Sequence, residues 1–98
     1  VIQNAGTGPA LKVTQTGANS IAEFYDDGNA LAFKIADGGN VGIGTANPLQ
    51  KLHVNGDVTI TSTGALTIPR GTTAQRPANP VAGMIRYNNT EGYIETYE

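Results

Sequence analysis

Four groups of residues have types or spacing that could do chemistry. Gly42-Ile43-Gly44 sets two glycines around one apolar residue, which is how a phosphate cradle begins. Such a cradle needs a third glycine opening a helix, or a lysine after the second glycine, and here Thr45-Ala46-Asn47-Pro48 follows with no helix to aim its N–H groups. The two glycines read instead as backbone that packs closely beside Val41 and Ile43. Asp26, Asp27, Asp37 and Asp57 each lie within two residues of a glycine, as the carboxylates of Ca²⁺-binding β-rolls do. After Gly38-Gly39, however, the chain runs Asn-Val-Gly-Ile-Gly-Thr with no carboxylate, and Asp or Asn beside Gly is ordinary turn chemistry. Asp26 and Asp27 are adjacent, so a continuing strand points them to opposite sides and separates a would-be acid–base pair. His53 is the sole histidine; with no second His and no Cys it builds neither a zinc site nor a triad, and only three copies meeting on a symmetry axis would make it a ligand. Tyr87, Tyr93 and Tyr97 gather near Arg86 and Glu95, and aromatic rings with polar tips suit a carbohydrate surface. Parity puts Tyr93 and Tyr97 on one face, and cross-strand pairing is expected to add Tyr87; the other use of such a trio is packing that stabilises a hairpin. The expectation is no catalytic residue, no cofactor-binding residue, no metal ligand and no enzyme, with the ligand-binding residues unassigned.

The elements that would position these residues are strands. Thirteen glycines and five prolines interrupt every window long enough for a helix. Short alternating runs recur instead, at Leu11 and Val13; Leu31, Phe33 and Ile35; Val41 and Ile43; Leu52 and Val54; Val58 and Ile60; Leu66 and Ile68; Ile85 and Tyr87. Gly17, Gly28 and Gly39 stand at an even spacing, each at a polar turn cluster, so GANSIAEFYDD, GNALAFKIADG and GNVGIGTANPL overlay as one strand plus one turn. A shorter beat follows at Gly56, Gly64 and Gly71. Asn55-Gly56 fits a type I′ hairpin turn between Leu52–Val54 and Val58–Ile60, or else the middle of a single strand with all four apolar residues on one face. From Pro69 a proline-rich connector leads to a hairpin with arms Met84–Tyr87 and Tyr93–Tyr97 and a turn over Asn88–Gly92. The chain divides accordingly into a β-repeat region over 1–68 and a connector-hairpin module over 69–98, and reads as a piece of something longer, starting at Val1.

Composition bounds the function. Leu, Ile, Val and Phe together make 21 of 98 residues, and 12 of the remaining apolar residues are alanine. Ordering a residue costs roughly 1–2 kcal/mol of backbone entropy against about 25 cal/mol per Å² of apolar burial, so a chain this thin in large side chains needs association to bury enough surface. Alternation, β-branched residues and a net charge of only −2 argue against disorder. The scattered Lys and Arg give no footprint for nucleic acid, no apolar run inserts in a membrane, and the absence of cysteine removes disulfide and thiolate chemistry. Copies of the chain packed about an axis would merge their small apolar stripes into one core, with Ala22, Ala30, Ala32 and Ala36 allowing close approach.

NVGIGTANPLQKLHVNGDV resembles the VGIGT-x-x-P-x-x-KLHV-x-G segment of phage tail-fibre and related fibrous surface proteins. IPRGTTAQRPANPVAGMIRYNNTEGYIETYE resembles the IP-x-GTTAQRP-x-x-P-x-x-GMIRYN module of phage structural and fibre proteins. The two cover about Gly39 to Glu98, the second being the more specific. The resemblance implies an all-β, elongated homotrimeric fibre, a triple β-helix or β-prism-like shaft ending in a small β-hairpin module. It implies a place on the virion, where the segment projects a host-attachment tip; the match itself does not distinguish tail from head, and a tail fibre is the expectation ahead of a head fibre. Partners would be two further copies, other fibre or baseplate proteins, and a host surface glycan. Bacterial surface proteins carry the first motif too, which leaves a bacterial cell surface as the other location. The rival functions are a carbohydrate-binding module using Tyr87, Tyr93 and Tyr97, and a polysaccharide depolymerase, which would need paired carboxylates in a groove.

Overall fold

The computed structural model describes Val1–Glu98. It contains seven short strands, two 3-10 turns and no α-helix, in two units, Val1–Ile60 and Thr61–Glu98. The chain is all-β.

The first unit carries β1 (Ala22–Asp26), β2 (Ala30–Ile35), β3 (Val41–Ile43) and β4 (Leu52–Val54) in one sheet of that order. β1, β2 and β3 form an antiparallel meander, and β4 joins β3 in parallel. The even glycine spacing is the meander itself: Gly28 and Gly39 sit in its two turns. The β1–β2 turn passes through left-handed backbone at Gly28 (φ 66°) and Asn29 (φ 61°), which these two residue types accept at least cost. Register then sorts the side chains. Phe24, Phe33, Ile43 and Val54 form one row across the four strands, and Ala22, Ile35, Val41 and Leu52 form a second. The rows are two residues apart on every strand, so both lie on one face, which is apolar from edge to edge. Phe24 and Phe33 meet edge to face with centroids 5.7 Å apart. The opposite face carries the row Glu23, Lys34, Gly42 and His53, with Lys34 3.5 Å from Glu23.

A parallel crossover usually takes a dozen or more residues, and residues 44–51 make this one in fewer. They manage it by folding directly onto β3. A Cβ at Gly42 would lie 2.5 Å from the Thr45 carbonyl oxygen and 3.2 Å from Thr45 Cγ2. His53 Nδ1 accepts the Leu49 N–H at 3.2 Å, Asn40 Nδ2 donates to the Pro48 carbonyl at 3.4 Å, and Asn55 closes the far end through its N–H on Ile43 O at 2.9 Å. Gly42→Ala is therefore expected to destabilise the first unit by about 1–3 kcal/mol, the usual range for overpacking, and a β-branched residue by more. Thermal melts check this, and an unchanged midpoint would remove the close-approach explanation of Gly42.

The second unit carries β5 (Arg70–Gly71), β6 (Ile85–Asn88) and β7 (Tyr93–Thr96), with β5 parallel to β6 and β6 antiparallel to β7. The expected hairpin is present. Its turn is organised by Asn88, whose Oδ1 accepts the N–H groups of Thr90 (2.9 Å) and Glu91 (3.0 Å).

Three expected strands do not form, and neither reading of Asn55-Gly56 holds. Residues 57–60 lie in no strand, so there is neither a hairpin nor a continuous strand through Gly56. Asn55 is engaged in closing the crossover, and Val58–Ile60 makes no backbone hydrogen bond to another segment. Leu11–Val13 likewise has no partner. For Leu66–Ile68 the cause is specific. Tyr87 N–H bonds to Pro69 O at 2.8 Å, and continuing that parallel register requires residue 69 to donate to Ile85 O. Proline has no N–H, so the ladder stops at Arg70.

Candidate functional site

Neither unit buries an apolar side chain; the buried polar or charged side chains are Arg86, Asn88 and Glu95. All three lie on one face of the β5–β6–β7 sheet, because Arg86 pairs with Glu95 and Asn88 lies two residues beyond Arg86. The segment Thr72–Arg76, containing the 3-10 turn Thr73–Gln75, covers that face. Thr72 N–H donates to Gln75 Oε1 at 2.9 Å, which tightens the turn. Arg86 Nη1 donates to Glu95 Oε1 at 2.6 Å and its Nη2 to Thr72 O at 3.1 Å. Arg76 grips Glu95 Oε2 from above through Nε at 2.9 Å and through Nη2. Asn88 Nδ2 donates to Thr73 Oγ1 at 3.1 Å. Gly71 completes the packing, since a Cβ there would lie 2.5 Å from Arg86 Nη2. The hydrogen bonds from Arg76, helped by Asn88 and Arg86 and opposed by burial, hold the Glu95 carboxyl down from 4.5 to about 2.

Each sheet thus turns its polar face toward its own loop and leaves its apolar face open. In the second unit that face carries Ile85 (48% exposed), Tyr87 and Ile94 (57%), beside a groove of about 320 Å³ that Leu66 and Ile68 also line. In the first unit it carries Phe24 (59%), Ile43 and Leu52 (61%). This is the reverse of a self-contained domain, in which sheets turn apolar faces inward. Faces of this kind mark interaction surfaces.

The expected tyrosine face is corrected. The hairpin register pairs Tyr87 with Ile94 and Tyr93 with Asn88, so Tyr87 lies on the apolar face, opposite Tyr93. Tyr97 keeps parity with Tyr93, but its hydroxyl is enclosed without a hydrogen-bond partner, so it offers no polar tip to a sugar. Only Tyr93 remains half exposed on that side. His53 spends Nδ1 on Leu49, within the crossover. Asp26 Oδ1 accepts the Asp27 N–H at 2.8 Å in the β1–β2 turn, and no three His, Asp or Glu side chains come together in a set able to hold a metal ion. On the polar face of the first sheet, hydrogen bonds from Ser20 and Tyr25 hold the Glu23 carboxyl below its usual range, and the same contact pushes the Tyr25 phenol up.

Sequence reasoning noticed Arg86 and Glu95 only as neighbours of the tyrosines and missed Arg76, Thr72, Thr73 and Asn88. A signal was present only in part: Arg86 and Glu95 stand equally far from the middle of a turn over 89–92, which pairs them across the hairpin, whereas a turn begun at Asn88 would set Arg86 against Ile94. No family model matches the chain, and no curated protein or solved structure does either.

Proposed function

We propose that the chain is a structural segment of a homotrimeric phage fibre, a tail fibre rather than a head fibre, which projects a host-attachment tip from the virion and performs no chemistry itself. The observation that supports it best is the pair of open apolar faces on a chain with no buried apolar side chain. A lone copy leaves Phe24, Leu52, Val58, Ile60, Leu66 and Ile94 more than half exposed, and companions in the same orientation would dry them together. The two motifs resembling fibre modules supply the virion setting. Their folded forms are a crossover packed onto β3 and a polar-cored hairpin, pieces suited to a shaft. Fibre or baseplate proteins would flank the segment, and a host glycan would be met at the tip. Three linked tips would gain avidity through effective concentration.

Sedimentation equilibrium tests the assembly. The expected mass is that of three 10.1 kDa chains. A compact monomer at micromolar concentration would overturn the proposal.

A further inference from the structure

Of the nine asparagines, Asn55 alone is followed by glycine, while Asn47 and Asn79 precede proline, whose tertiary amide nitrogen cannot attack anything. A backbone nitrogen reaches the preceding carboxamide most easily where the next residue has no Cβ to crowd the approach. Both residues are exposed, and even a Cβ built on Gly56 would meet no atom within 4 Å. The Gly56 N–H makes no backbone hydrogen bond. The Asn55 carboxamide is lightly held, its Nδ2 donating to Gly44 O at 3.3 Å, long for an N–H···O bond.

We infer that Asn55 is a site of spontaneous covalent modification whose conversion loosens the β3–β4 crossover. The Gly56 nitrogen loses its proton to solvent base and bonds to Asn55 Cγ; the Cγ–Nδ2 bond breaks, and Nδ2 takes up a proton from water and leaves as ammonia. Water then opens the five-membered imide at one of its two carbonyls, giving aspartate or isoaspartate. The sequence is a cyclisation and a hydrolysis with no change of oxidation state. Its position gives it a consequence. Nδ2 is the donor that ties the end of β4 to the turn at Gly44, and aspartate sets a carboxylate oxygen against that carbonyl, two acceptors with no proton between them. Isoaspartate also lengthens the main chain where it leaves the Asn55 N–H to Ile43 O bond.

The full chain is held at mildly alkaline pH and followed by peptide mapping with mass spectrometry and isoaspartate-specific methylation. Asn55 is expected to convert several-fold faster than any of the other eight asparagines. Conversion no faster than at Asn29 or Asn40 would overturn the site. Asn55→Gln keeps a carboxamide but closes a six-membered ring far more slowly, so the same peptide should stay unchanged; ammonia loss from it at the original rate would also overturn the site. Asn55→Asp is expected to lower the melting temperature by about 4 °C or more, the shift for roughly one lost hydrogen bond in a chain this size. An unchanged melting temperature in Asn55→Asp would overturn the link to the crossover.

Discussion

Phe33→Asp is expected to abolish assembly, reducing the sedimenting species to single chains that lose their β-sheet circular dichroism. Phe33 stands in the second strand of the apolar row from Phe24 to Val54 and touches the Phe24 ring. If that face is where copies meet, each copy brings its own carboxylate into the shared interior. A carboxylate buried without a partner costs on the order of several kcal/mol, and three facing one another add repulsion. That exceeds what a chain without a buried apolar side chain can absorb. Gln50→Glu is the control: Gln50 is exposed on the crossover loop, over the polar face, and the same added charge there should leave the mass unchanged. Assembly surviving in Phe33→Asp would exclude this face as the interface.

The strands and the open face were legible because alternation is a local property. Leu31, Phe33 and Ile35, Val41 and Ile43, and Leu52 and Val54 each announce a strand with one apolar side, and the glycine beat announces the turns between them. What joins β3 to β4 was not legible. Their parallel pairing depends on a loop folding onto a missing side chain at Gly42, and alternation carries no information about which strand lies beside which. The error at Tyr87 has the same origin, since parity along one strand is visible but pairing across the hairpin depends on the turn's register. Pro69 could have been read against the Leu66–Ile68 strand only once the β5–β6 register was known. The buried polar network was hidden for another reason: charged residues are expected to face water. Here Arg86 and Glu95 are buried against each other beneath the still exposed Arg76, and the polar side of a small sheet becomes its interior.

That inversion gives the second unit an acid limit. Lowering the pH is expected to unfold the Thr72–Arg76 cover and the hairpin together, as Glu95 is protonated. Its carboxyl is held from 4.5 down to about 2, so the folded state binds the charged form more strongly than the unfolded chain does. The stabilisation is complete above 4.5, diminishes as the pH falls through the interval, and is gone below about 2. Near-ultraviolet circular dichroism is suited to following this, because Tyr87, Tyr93 and Tyr97 belong to the second unit and only Tyr25 to the first. Glu95→Gln should melt at a lower temperature already at neutral pH, since Arg86, only 6% exposed, would keep its charge without a counter-charge. It should also flatten the pH dependence across this interval, because the group that titrates has been removed. Added salt should do little to the parent protein at neutral pH, as ions screen a covered pair far less than an exposed one. An acid transition that persists unchanged in Glu95→Gln would place the titrating group elsewhere and leave the network without its stabilising role.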